Sequence, residues 1–165
     1  MHKGILWSVI GVALLLATAV QLSAGTKTAP IVVELQSFKF KVDDKIADLF
    51  GYNEGEEKLF FYTNGVGEAT VKVPADGKYE IVIKASGDKA KDERAKFKLA
   101  IDGKLVGKET ELTSDDVKEY RFETMLTKGE RKLSIEFTND EFKEGEYDRN
   151  LYVHGVEVRT VKAGK

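Results

Sequence analysis

Between residues 58 and 158, short stretches in which every second residue is apolar follow one another, and most of them stop at a glycine-bearing turn. This pattern decides the fold class, because a helix needs apolar residues three and four apart while a half-buried strand needs a period of two. Ala69-Thr70-Val71-Lys72-Val73, Lys78 to Ala85, Ala95 to Ile101 and Arg131 to Phe137 all have the strand period. Leu59 to Tyr62, Lys104 to Val106, Glu119 to Leu126 and Leu151 to Val158 read as further strands, and Ile31 to Lys41 as the first. Asp102-Gly103 is a tight hairpin signal. Pro74-Ala75-Asp76-Gly77 is turn chemistry. Asp43 to Glu57 is polar, with Ile46, Leu49, Phe50 and Tyr52 as its apolar members, and reads as a loop with one helical turn. No long helical period appears after residue 25. Short strands closed by glycine turns predict an all-β fold, an antiparallel β-sandwich of jelly-roll type, over residues 31–160.

The first 24 residues are different. Met1-His2-Lys3 is a basic start, Ile5 to Val20 is almost wholly apolar, and Gln21 to Gly25 is small and polar. That layout predicts a signal peptide with a cleavage site near Ala24, and an N-terminal hydrophobic helix in either the signal or the anchor reading. A retained anchor over residues 4–24 is an alternative, since ~20 apolar residues span a bilayer. Lys3-Gly4 before the apolar run also resembles a prepilin leader. All three readings carry residues 25–165 across a membrane and make the protein secreted or surface-bound, with 25–30 as linker. A membrane contact is then expected only through residues 4–24.

Composition narrows the function. There is no Cys, so no disulfide and no Cys nucleophile. Beyond the leader the only His is His154, which rules out a multi-His zinc centre. His154 lies within an alternating strand, which assigns it a structural role. No Gly-x-Ser-x-Gly elbow or phosphate-cradling glycine loop is present. The 26 basic and 28 acidic residues nearly cancel, and no basic stripe is interleaved with aromatics, so no nucleic-acid partner is expected. The only Trp, Trp7, lies in the leader. No enzymatic activity is predicted.

One segment breaks the even spread of charge. Thr138 to Leu151 packs Asp140, Glu141, Glu144, Glu146 and Asp148 between two strands. Carboxylates crowded this closely repel one another unless a cation lies among them. Calcium takes six to eight oxygens from carboxylates, amides and carbonyls, and Asn139, Asn150 and the Gly145 turn add the remaining donor types. An acidic surface loop pinned by Arg149 is the competing reading of the same residues.

From Val73 onward the chain resembles the calcium-dependent, xylan-binding carbohydrate-binding modules of families 36 and 60. The resemblance rests on Gly77-Lys78-Tyr79 at a strand start, Ile101-Asp102-Gly103-Lys104-Leu105-Val106, Lys128 to Asp140, and Asp148-Arg149-Asn150-Leu151-Tyr152-Val153. It implies a loop-bound calcium that contacts sugar hydroxyls directly, in keeping with a domain that has no Trp platform. Carried across, it implies Asp140 and Asp148 as metal ligands with Asn139 and Asn150 behind them. It leaves Glu34, Glu141, Glu146 and Arg149 as metal or loop support, Arg149 through a carboxylate partner. Tyr147 and Tyr152 are the candidate carbohydrate contacts, with Tyr62 and Tyr120 as further aromatics. Related sandwiches hold a second, structural calcium between paired glutamates and a last-strand Asp. Here Glu34 stands alone and His154 takes the Asp position, so the resemblance does not extend to that second site.

The expected function is therefore non-catalytic, calcium-dependent binding of a polysaccharide or glycan. The alternative is a subunit of an extracellular fibre or pilus, self-assembling into filaments as Ile31 to Leu35 adds to a neighbour's sheet.

Overall fold

The computed structural model describes residues 29–41 and 43–161. The leader and its expected helix lie outside the described residues. Among the described residues no helix is long and apolar enough to cross a membrane.

The strands in chain order are β1 (Ile31–Val32), β2 (Lys39–Phe40), β3 (Phe50–Asn53), β4 (Lys58–Phe61), β5 (Gly65–Val73), β6 (Gly77–Gly87), β7 (Lys89–Ala90), β8 (Glu93–Arg94), β9 (Lys96–Ile101), β10 (Lys104–Leu105), β11 (Thr110–Glu111), β12 (Lys118–Leu126), β13 (Gly129–Phe137), β14 (Phe142–Lys143), β15 (Tyr147–Asp148) and β16 (Leu151–Thr160). Two antiparallel sheets form the sandwich. One runs β12-β6-β16-β4-β3, with β1 also on β16; the other runs β10-β9-β13-β5-β2, with β11 also on β9. Two small hairpins, β7/β8 and β14/β15, stand outside the sheets.

The period-two residues supply the core. Tyr79, Ile81, Ile83 and Ala85 of β6 point inward, as do Phe97 and Leu99 of β9 and Leu133, Ile135 and Phe137 of β13, all fully or almost fully buried. β16 keeps to this rule only by breaking it once. Its register shifts between Val153 and Gly155, so Leu151, Val153, Val156 and Val158 all face the core. A bulge inserts one unpaired residue and flips the face of every residue beyond it; here the inserted residue is His154.

The first strand departs from its sequence reading. Residues 31–41 are two short strands in different sheets, joined by a 3-10 turn at Leu35–Ser37. Val33 and Phe38 are both buried five residues apart, a spacing no single strand can turn to one face. Ile31 and Val32 pair with Val158 and Glu157 of the same chain, so the segment expected to complete a neighbour's sheet is bonded in its own. Asp102-Gly103 forms the expected two-residue hairpin, with φ of 49° and 77° at the two turn residues.

Candidate functional site

The acidic segment leaves β13 at Thr138 and returns to β16 at Leu151. It forms the β14/β15 hairpin, whose loop Glu144-Gly145-Glu146 has Gly145 at φ 73°. The Glu146 amide donates to Lys143 O at 3.0 Å, closing a turn whose third residue, Gly145, takes the positive φ without strain.

The five carboxylates of this segment do not converge. Glu141 is drawn off by Lys91 at 2.5 Å and Glu146 by Lys143 at 2.5 Å. Glu144 is exposed at the hairpin tip. Asp140 and Asp148 remain, and they line one cleft of about 440 Å³ together with Leu49, Tyr62, Thr63 and Phe142. Thr63 Oγ1 donates to Asp140 Oδ2 at 2.8 Å, and the Asp140 amide donates to Asn64 Oδ1 at 2.7 Å. Asp140 Oδ1 is buried with no hydrogen-bond partner. Burial raises the Asp140 pKa above the usual carboxylate range, the nearby Asp148 charge adds to the rise, and the Thr63 bond opposes it.

The amide residues divide. Asn139 is committed to the backbone: Oδ1 accepts from Lys96 N at 2.6 Å and Nδ2 donates to Arg94 O at 2.9 Å. Asn150, buried at 5% exposure, donates Nδ2 to Asp88 Oδ2 at 3.1 Å and leaves Oδ1 without a partner. Asp140 Oδ1 and Asn150 Oδ1 are the two buried side-chain polar atoms left unpaired among the described residues. A buried acceptor in that state costs roughly 1–3 kcal/mol, a cost that a cation or a further donor at either oxygen would remove. Among the described residues no three acidic or His side chains come together. A metal in this cleft would thus have Asp140 and Asp148 as its charged ligands and draw its other oxygens from main-chain carbonyls, water or hydroxyls of a bound molecule. Calcium, which accepts mixed oxygen donors in flexible geometry, fits that donor set.

Arg149 is 3% exposed and does not pair with the loop carboxylates. It donates to main-chain carbonyls: Nε to Glu93 at 3.1 Å, Nη1 to Asn139 and Nη2 to Ala90. The Glu93 carboxylate is its nearest acidic partner, at 4.0 Å. The expected carboxylate partner is thus Glu93 of the β7/β8 hairpin, held at ion-pair distance, while the hydrogen bonds go to carbonyls.

Tyr62, 40% exposed, is a wall of the cleft. Its ring lies 4.7 Å from that of Phe60, at an angle of 31°. Phe60 in turn lies over Gly51 of the neighbouring strand, where an added Cβ would come within 2.8 Å of the ring. Glycine, aromatic and tyrosine therefore stack outward and fix the Tyr62 ring. Tyr152 meets Tyr62 edge-on at 6.3 Å and donates its hydroxyl to Asp88 at 3.0 Å. Burial and then Asp88 push the Tyr152 pKa well up, so the phenol stays a donor. Tyr147 lies under the Lys91 ammonium, 5.2 Å from its ring centroid, and Tyr120 is buried.

Glu34 is elsewhere, in a cavity of about 370 Å³ shared with Lys84, His154 and Glu157. There Lys84 pairs with Glu157 at 3.0 Å and His154 Nε2 bonds Ser86 Oγ at 2.8 Å. Burial, then Lys58, holds His154 below its usual pKa.

Sequence reasoning passed over Thr63, Asn64 and Asp88. Asn64-Gly65 carried only a turn signal and Asp88 only a loop charge; their roles depend on partners more than sixty residues away.

Among curated proteins, none matches the chain. Among solved structures, it resembles a family 36 carbohydrate-binding module of a multidomain xylanase from the hindgut metagenome of Trinervitermes trinervoides, with a TM-score of 0.60 at 15% identity over 83% of this chain and 100% of that one. A family 36 module in complex with calcium and xylotriose gives a TM-score of 0.53 at 16% identity, over 79% and 98% of the two chains. A family 35 module from Clostridium thermocellum gives 0.53 at 13% identity, over 81% and 99%. At such identities these likenesses establish a shared sandwich fold. Residues 80–165 match the family 60 description, a calcium-dependent, xylan-binding carbohydrate-binding module. That match spans more than half of the sequence, and the chain belongs to this carbohydrate-binding module family.

Proposed function

We propose that the protein is a secreted or surface-displayed, non-catalytic module that binds a polysaccharide of the xylan type through calcium held between Asp140 and Asp148. The observation that carries this reading is the unpaired, buried Asp140 Oδ1 in a cleft it shares with Asp148 and with the exposed rings of Tyr62 and Phe142. Bound calcium supplies a hard positive centre that accepts vicinal sugar hydroxyls among its oxygens. Asp140 and Asp148 hold it, and the Asn150 amide oxygen lies on the same loop. Thr63 and Asn64, in the link from β4 to β5, fix Asp140 from the side. Tyr62 and Phe142 offer apolar faces to the carbon side of a sugar ring. The placement outside the cell rests on the apolar leader.

The test is calorimetric titration of xylo-oligosaccharides into the protein in millimolar calcium and again in EDTA. Binding is expected only with calcium. Equal binding in both buffers, or none in either, refutes the reading. Mass spectrometry of the native N-terminus tests export: a mature chain starting near Gly25 is the expected result.

A further inference from the structure

We infer that Arg149 is the positioning residue of the cleft: its guanidinium, closed on main-chain carbonyls of two separate loops, sets the distance at which Asp140 and Asp148 face each other. The inference rests on the calcium reading of that cleft and concerns how the two ligands are held.

Arg149 follows Asp148 directly in the chain. One of its carbonyl acceptors belongs to Asn139, which directly precedes Asp140. The other two belong to Ala90 and Glu93, the paired residues on either side of the Lys91-Asp92 turn. A further bond runs from the Arg149 amide to Glu141 O at 3.0 Å, on the far side of Asp140. Asp140 is thus bracketed by two residues whose carbonyls both accept from Arg149, and Asp148 is the residue next to it. A single buried residue fixes both carboxylates at one peptide's remove.

The chemistry explains why arginine is suited to this place. All three guanidinium nitrogens are used, in three directions, and a rigid planar fork loses little further freedom in holding them. A lysine ammonium has no such fork, and an apolar residue would leave three carbonyls without donors. The β7/β8 hairpin, which carries none of the expected ligands, thereby becomes part of the metal site. It brings its carbonyls to Arg149 through a two-residue turn with Lys91 and Asp92 at φ of 50° and 63°, a conformation that suits glycine or asparagine better.

The full chain carrying Arg149→Lys or Arg149→Met tests this, with calcium affinity measured well below each variant's melting temperature. Amide exchange of the calcium-free protein is followed in parallel. Calcium affinity is expected to fall at least tenfold in Arg149→Lys and further in Arg149→Met. The amides of Asp140 and Lys96, which bond Asn64 and Asn139 side chains, should exchange at least tenfold faster, with protection around Ile83 and Leu133 unchanged. Wild-type calcium affinity in Arg149→Lys, or loss of protection spread evenly over core and loop, overturns the inference. If the wild-type protein itself binds no calcium, the calcium reading falls. The exchange pattern then decides on its own whether Arg149 holds the loops: local loss upholds the positioning role and uniform loss ends it.

Discussion

The Thr63 hydroxyl donates to one oxygen of Asp140 at 2.8 Å, across 77 positions of sequence, while the other oxygen of the same carboxylate is buried and unpaired. Half of the group is therefore anchored to the strand that ends at Phe61, and half is open to the cleft. This asymmetry sets Asp140 apart from the other acids of its loop and is what the proposed calcium reading uses.

Asp140→Asn should abolish stabilisation by calcium. With calcium in hundredfold excess over Kd, the wild-type protein gains about 2.7 kcal/mol from binding, and the variant should gain almost none. The same substitution carries a pH signature in EDTA. Folding raises the Asp140 pKa above 3.8, so the folded state binds its proton more tightly than the unfolded chain. The ionised group is destabilising at neutral pH, and this penalty is relieved as pH falls through the raised value. The melting temperature of Asp140→Asn should thus exceed that of wild type at neutral pH in EDTA, and the gap should close on acidification. A constant gap from neutral to acid pH contradicts the assignment.

Tyr62→Ala and Phe142→Ala should separate the two halves of the proposed function. Neither ring supplies a metal oxygen, so calcium-dependent melting should remain as in wild type. Xylo-oligosaccharide affinity should fall about tenfold or more in each, in line with about 1–3 kcal/mol for a buried aromatic contact. Unchanged sugar affinity would move the binding surface away from this cleft.

Gly87→Ala should be severe although Gly87 lies far along the chain from the expected ligands. An added Cβ would come within 2.4 Å of the Asn150 carbonyl oxygen and 2.8 Å of Leu112. The first of these neighbours is backbone and cannot turn aside, so β6 and the start of β16 must part. A loss of about 1–3 kcal/mol by chemical denaturation is expected, with weaker calcium binding because Asn150 moves. A variant as stable as wild type would mean that the two strands are less closely packed than described.

The two sheets were legible wherever one face is buried and the other wet. β9 and β13 follow their alternation residue for residue, and Asp102-Gly103 marks its own turn. The 31–41 segment misled because alternation near Phe38 and Phe40 hid a change of sheet that only burial of both Val33 and Phe38 makes necessary. At the site, composition found the right loop but could not rank its acids. Glu141 and Asp140 are neighbours in sequence, yet Lys91, fifty residues upstream, claims one of them and leaves the other. Asp88, Thr63 and Asn64 carried no local signal of a place at the site, since a single polar side chain acquires its role only from the groups that the fold sets opposite it.

The pairing of β1 with the far end of β16 has a consequence for how such a domain can be mounted. β16 starts at Leu151 beside the cleft and runs ten residues to Thr160, roughly 30 Å at strand rise. Ile31 lies opposite Val158 on that same strand. The two ends of the sandwich therefore emerge side by side at the pole away from Asp140 and Asp148. Polypeptide attached at either end would leave as a stalk, with the cleft directed outward at its tip.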